Sequence, residues 1–393
     1  MRYVPRLIEP GLARASRHFP GLVLTGPRRA GKITLLRRLF PKAADYLLED
    51  PDVIARVRAD PRGFIAEARP PVILDEIQNA PEILRYVRTQ IDAAPRRVGR
   101  WLLTGSQDAP LMRGVSESLA GRAAVFRLLP MATTESQKVS MLRGGFPEVL
   151  ARPAAAEVWF RSYVQTYLER DVRAIIAIRE LGTFRRFLAL VASRCGQILN
   201  KTDIAAPLGV SVPTLTQWLG VLEVTGQILL IPPFYESFGK RLIKSPKLYF
   251  IDSGLACHLL GIDSVRALER SPFRGAIFEG FVASEIVKEQ LGRGRAQEIY
   301  YFRDQQGLEV DFVVPGPGRR LALVEAKASA TVTPSTAEPL ARLAKAAARY
   351  ETRSYLVYQP RDASAKLGSA DVSAVRPGVR AVDLQGLLRA LQN

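Results

Sequence analysis

At 393 residues the chain is longer than one ordinary compact domain, and 47% hydrophobic residues supply enough apolar surface for several cores. A net charge of +18, from 56 basic and 38 acidic side chains, points to a polyanionic partner, nucleic acid first, held partly by counterion release. Two cysteines and two histidines exclude a disulfide framework and a metal centre built on Cys or His clusters.

The opening MRYVPRLIEPGLARASRHF lacks the apolar stretch and cleavage site of a signal peptide, and no later run nears the ~20 apolar residues of a bilayer span. A cytoplasmic protein without a membrane partner is expected.

Leu22-Val23-Leu24 is a short β-type run. It leads into Gly26-Pro27-Arg28-Arg29-Ala30-Gly31-Lys32 and then an amphipathic helix from Thr34 to Phe40. Strand, glycine loop and helix in that order are the context a phosphate-binding loop requires. The glycines let backbone N–H groups face phosphate oxygens, Lys32 reaches the outer phosphates, and the helix N-terminus adds its dipole. Ile33 departs from the pattern, because the Ser or Thr expected there gives its hydroxyl to Mg²⁺. Thr34 lies about 100° further around the helix and does not simply replace it. ATP and Mg²⁺ are the expected ligands, with metal affinity and turnover weakened.

PPVILDEIQ follows. Val72-Ile73-Leu74 suits a strand buried on both faces, and it ends in Asp75-Glu76, where α/β sheets place ligands. Asp75 suits magnesium coordination and Glu76 the polarisation of an attacking water. Trp101 to Thr104 reads as a third strand, with Ser106 or Thr104 as the hydroxyl sensor beside the γ-phosphate. This combination resembles the AAA-type P-loop ATPases, and within them the bacterial and archaeal "ATP-binding protein" family that carries a C-terminal domain of unknown function. The resemblance continues through SESLAGRAAVFRLLPM and implies that Arg122 is an arginine finger; acting in trans, it requires a homo-oligomer. A surface or nucleic-acid-contacting arginine is the other reading of Arg122.

GGFPEVL (144–150) and YLERDVR (167–173) are typical of the same family, with Arg170 and Asp171 as residues that could bridge toward the nucleotide. Trp159, Phe160, Tyr163 and Tyr167 share one helix face and read as core. Asp203 to Leu208, a turn at Gly209-Val210-Ser211, and Val212 to Val224 have a helix-turn-helix layout. Hydrophobic runs from Gln227 to Phe234 and Leu248 to Ile251 then complete a winged-helix pattern. The second helix has no Lys or Arg, so DNA contact rests on Lys240, Arg241, Lys244 and Lys247. A packing module with a solvated basic loop is equally compatible.

From 274 onward the expected order is helix, three strands, helix, strand, which resembles the restriction-endonuclease-like core. The residues of its PD-(D/E)xK pattern are present as Asp311, Glu325 and Lys327. Strand alternation puts Glu325 and Lys327 on one face, so that Asp311 and Glu325 could share Mg²⁺ while Lys327 orients water. Helical projection places Glu279 among Val282, Ala283 and Ile286, away from a polar side at Glu285, Lys288 and Glu289. A carboxylate aimed into a core needs a metal, a proton or a partner, and the resemblance implies that Glu279 completes the acidic, metal-holding cluster.

The family resemblance covers essentially the whole chain. The domains read as an ATPase (1–135), a helical region (136–198), a winged helix (199–262) and a nuclease-like domain (263–393). The expected function is an ATP-binding ATPase acting on nucleic acid and coupled to a metal-dependent nuclease-like domain. The alternative is a non-cleaving, ATP-gated switch or scaffold.

Overall fold

The computed structural model describes residues 3–105, 117–168, 181–234, 244–329, 333–359 and 374–392. Ser106, Arg170, Asp171, Lys240 and Arg241 lie outside the described residues, as does the side chain of Tyr167.

The first sheet consists of β1 (Gly21–Thr25), β2 (Ala44–Leu47), β3 (Val72–Asp75), β4 (Trp101–Gly105) and β5 (Ala123–Arg127) in the order β2-β3-β4-β1-β5. All of its pairings are parallel. Period-two alternation divides its side chains cleanly. Val23, Val72, Leu74, Trp101 and Leu103 pack on one face, while Leu22, Leu24, Ile73 and Leu102 pack on the other. Apolar runs covered on both faces explain why these short strands read so plainly.

The middle region contains the helices Lys201–Leu208 and Val212–Val224, then β6 (Ile228–Ile231) antiparallel to β7 (Lys247–Phe250). Phe160 and Tyr163 are buried in its core, with Trp159 stacked on Tyr163.

The C-terminal sheet contains β8 (Tyr300–Arg303), β9 (Glu309–Gly316), β10 (Arg320–Lys327), β11 (Glu351–Tyr358), β12 (Ala374–Arg376) and β13 (Val379–Val382), ordered β12-β13-β11-β10-β9-β8. β10, β11 and β13 run parallel, and β9 pairs antiparallel with β10. The helix Arg274–Gly292 covers one face, through Val282, Ile286, Phe312 and Val324; the helix Glu338–Ala346 covers the other, through Leu340, Leu343, Leu323 and Leu356.

The first of these cores crosses residue 262, for it also contains Met131, Cys195, Ile231 and Tyr249. GGFP and FIDSGLA meet beside it. Buried Asp252 accepts from Gly145 N–H (2.7 Å) and Leu255 N–H (3.0 Å), and a Cβ on Gly145 would lie 2.0 Å from the Met131 carbonyl oxygen. Glycine is required there by proximity of backbone.

Candidate functional site

At the C-terminal end of β1 the chain turns through Gly26 (φ 138°) and Gly31 (φ 98°), and the helix Lys32–Leu39 begins. A Cβ on Gly26 would sit 2.0 Å from the Leu128 carbonyl oxygen, so the loop can hug the sheet edge only with glycine. Lys32 is buried and donates to the carbonyls of Gly26 (3.0 Å) and Pro27 (3.1 Å). Among the described residues, Arg29 (φ 64°) and Glu76 (φ 56°) are the non-glycine residues held in the left-handed region, one in the loop and one just after β3. Such conformations are uphill for residues with a Cβ and concentrate at functional sites.

Asp75 and Thr104, on adjacent strands, are joined by a short hydrogen bond from the Thr104 hydroxyl, which also accepts from Glu76 N–H (3.4 Å). Burial pushes the Asp75 carboxyl above its ordinary range, against the pull of Thr104 and Lys32. Glu76 is approached by Arg28 (3.9 Å), which pairs with Glu49 (3.0 Å), and takes the Gln78 amide.

Beside this loop lies a cavity of about 730 Å³ whose lining includes Tyr3, Val4, Arg6, Gly31, Thr34 and Pro147. Its size suits a nucleoside. Tyr3 and Arg6 escaped the sequence reading because nothing local marks them. Arg6 is buried and donates to the carbonyls of Ala30 (3.0 Å) and Leu129 (2.7 Å), and it pairs with Glu135 (3.1 Å). Ile33 packs partly against the core below the loop, and exposed Thr34 lines the cavity. The loop is of the kind that holds the phosphates of a nucleotide, and the cavity beside it has room for a nucleoside. Asp75 is the residue that would hold the nucleotide's Mg²⁺, with no oxygen from position 33.

From the middle region, the turn after the helix Val212–Val224 closes on the loop. A Cβ on Gly226 would lie 3.1 Å from Pro27 Cγ and 3.2 Å from Arg127 Nη2. Arg122 pairs with Asp92 through two contacts, at 2.5 and 3.1 Å. The same chain therefore holds the guanidinium that the resemblance assigns to a neighbour's phosphate.

A family model described as an AAA domain matches residues 18–137. Two models described as domains of unknown function, DUF8612 and DUF4143, match residues 134–266 and 274–375. The uncharacterized protein Rv2008c of Mycobacterium tuberculosis is 33% identical over 316 residues, spanning 78% of this chain and 70% of that protein. The chain belongs to its family. The uncharacterized protein Mb2031c of Mycobacterium bovis matches to the same extent. Among solved structures, the Walker-type ATPase PABY2304 of Pyrococcus abyssi aligns at a TM-score of 0.43 with 17% identity, over 64% of this chain and 94% of that one. AMPPCP-bound DnaA of Aquifex aeolicus aligns at 0.25 with 13% identity, over 55% and 86%. By the family model matched to residues 18–137, the first domain is an AAA-type ATPase domain.

A second cluster forms in the C-terminal region. The structure gathers Glu279 from the long helix, Asp311 from β9, and Glu325 and Lys327 from β10. Lys327 pairs with Glu325 (2.7 Å), while Asp311 accepts from Ala326 N–H (2.9 Å). Lys247 of β7 reaches the same cluster. Its Nζ lies 2.9 Å from Glu279, 2.6 Å from Glu309 and 3.5 Å from Asp311, and the residue is 2% exposed. Burial alone would lower the Lys247 pKa, but Glu279, Asp311 and Glu309 together raise it. Tyr249 adds a short hydrogen bond to Glu279. Burial, then the charge of Asp311, pushes both Glu279 and Glu325 well up.

Two sequence expectations are corrected here. Lys247 is not a solvated, DNA-facing wing residue, because three carboxylates draw it inward. Glu285, Lys288 and Glu289 do not form a solvent face of their helix either. All three are buried against Met131 to Thr134, where hydrogen bonds satisfy them.

The donor chemistry of the cluster suits a hard divalent cation, and Glu325 Oε2 is buried with no hydrogen-bond partner among the described residues. Yet no group of three or more Asp, Glu, His or Cys side chains, among the described residues, is arranged to hold a metal ion as it stands. Lys247 supplies positive charge there instead.

Proposed function

We propose that this ATPase acts on nucleic acid and uses its nucleotide state to control a C-terminal domain of the nuclease type. The gathering of Glu279, Asp311, Glu325 and Lys327 from one helix and two strands is the observation that carries this reading. The three residues of the acid-x-lysine pattern and a helical glutamate more than 30 residues before them converge beside a mixed sheet. The +18 charge supports a polyanionic partner. The helix-turn-helix geometry with its following hairpin supports a winged-helix role in docking, with Gln217 and Lys244 on the exposed surface. Mg²⁺ accompanies ATP through Asp75, and Arg122 serves a neighbouring protomer of a homo-oligomer once it leaves Asp92.

A specific observation favours a second reading, a non-cleaving switch or scaffold: Lys247 fills the charge position among the acids, so the cluster as arranged does not fit a metal. Incubation of the protein with single- and double-stranded DNA in Mg²⁺ or Mn²⁺ separates the two. Cleavage that vanishes in Asp311→Ala and Lys327→Ala establishes the nuclease. Binding at low salt without cutting, manganese included, establishes the switch, and absence of binding removes both.

A further inference from the structure

Lys247 does not belong to the sheet whose acids it neutralises. It opens β7, pairs in register with Ile231 of β6 and bridges to Ile198, all in the middle region. Alternation along β7 puts Tyr249 on the same side, and both side chains reach Glu279. The hairpin is seated on the C-terminal domain by backbone bonds from Tyr301 N–H to Pro232 (3.1 Å) and from Phe234 N–H to Tyr301 (2.8 Å). The Tyr301 hydroxyl also donates to the Ser245 carbonyl, next to Lys247 in sequence but one.

Acidic groups outnumber basic ones at the cluster. Glu279, Asp311 and Glu325 are largely buried, and Glu309 lies at their edge, already shared with Arg303 (3.3 Å). Two ammonium groups, Lys247 and Lys327, and the Arg303 guanidinium face these four carboxyl groups, burial holds Glu279 and Glu325 toward their protonated forms, and one carboxyl oxygen, Glu325 Oε2, has no hydrogen-bond partner among the described residues. A buried monovalent cation held by several acids is a good electrostatic substitute for a metal and a poor geometric one, since an ammonium cannot draw carboxylate oxygens into one coordination sphere.

We propose that Lys247 is a removable internal cation: it keeps the acid cluster closed, and a divalent metal ion enters only by displacing it, which unseats the β6–β7 hairpin. This rests on the nuclease-type reading of the cluster and adds its regulation. Because linkage is reciprocal, whatever shifts the hairpin also changes metal affinity, by the factor through which metal shifts the hairpin.

The test uses the full-length protein with Mn²⁺ as probe and no DNA. Lysine acylation followed by residue-level mass spectrometry is expected to find Lys247 protected without metal. Saturating Mn²⁺ should expose it, raising its acylation by about tenfold or more, within the usual range of coupling between sites. Lys247→Met is expected to bind Mn²⁺ at least about tenfold more tightly than the parent by titration. Unchanged Mn²⁺ affinity in Lys247→Met, or continued protection of Lys247 with Mn²⁺ bound, overturns the proposal. If Lys247→Met folds only with Mn²⁺, the metal has taken the place of the lysine, as proposed. If Mn²⁺ does not recover it while the charge-balanced Lys247→Met/Glu279→Gln folds, the proposal fails. Protein that passes while leaving DNA intact keeps the lysine gate and loses cleavage. Cleavage that depends on Asp311, in protein whose Mn²⁺ affinity ignores Lys247, does the reverse.

Discussion

Thr133 donates both its backbone N–H (2.6 Å) and its hydroxyl (2.7 Å) to Glu285, 152 residues further along the chain. Glu285 is fully buried and also takes the Lys288 ammonium (2.8 Å). On the near side of Thr133, Glu135 accepts from Ala132 N–H and Leu7 N–H and pairs with Arg6, which holds the phosphate-loop carbonyl of Ala30. Polar contacts thus run from the nucleotide loop to the helix that carries Glu279. Thr133→Val keeps the shape and removes one donor to a buried carboxylate, so a loss of about 1–3 kcal/mol in denaturant unfolding is expected. A change under ~0.5 kcal/mol would show that this bond is not needed.

Lys32 and Ile33 should separate binding from turnover. ATP at about 100 times its Kd stabilises a protein by about 2.7 kcal/mol, and Lys32→Ala is expected to abolish that gain in thermal melts. Ile33→Thr restores a hydroxyl at the metal position, so turnover should rise and saturate at lower Mg²⁺. Equal rates and equal magnesium dependence in the two proteins would contradict the role given to Ile33.

Arg122 is held by Asp92 of its own chain. Arg122→Ala is expected to leave ATP affinity intact and lower kcat on the order of 10³-fold, the scale of an arginine finger. Specific activity should climb with protein concentration in the parent and stay flat in the variant. Concentration-independent turnover would argue against action in trans.

His258 is half-buried, stacked on Phe160 (5.7 Å between centroids), and burial lowers its pKa below the ordinary value. The folded state therefore binds its proton less readily than the unfolded chain, so its contribution to stability is present above pH ~6.5 and declines as pH falls. In a ring-proton NMR titration, His258 should titrate below that value. His258→Phe should flatten the stability profile between about pH 5 and 6.5.

Cys195 and Cys257 are both buried free thiols, pushed up to about 12 by burial. Alkylation at pH 8 should be slow in native protein and complete within minutes in denaturant. Fast native labelling would mean that the shared core around them opens.

What could be read in the sequence was local. The phosphate loop, Asp75-Glu76 and the helix at 212–224 follow from spacing within a few turns, and the strands on either side are apolar enough to name themselves. Glu279 was also legible, because a carboxylate on an apolar stripe asks for a partner. That partner was not. Lys247 in KSPKLYF has the look of a solvated basic loop, and only the apolar alternation after it, with Tyr249 inward, hinted that it points inside. Glu285 and Glu289 sit on a face that helical projection calls polar; their burial depends on Thr133 and Thr134 arriving from another domain. The left-handed backbone at Arg29 and Glu76 leaves no trace in residue type at all.

Gly226 presses the middle region directly against Pro27 of the phosphate loop. A methyl group at 226 would force Pro27 or Arg127 to give by a few tenths of an ångström, so glycine is what lets the turn at 225–227 lie this close to the nucleotide loop.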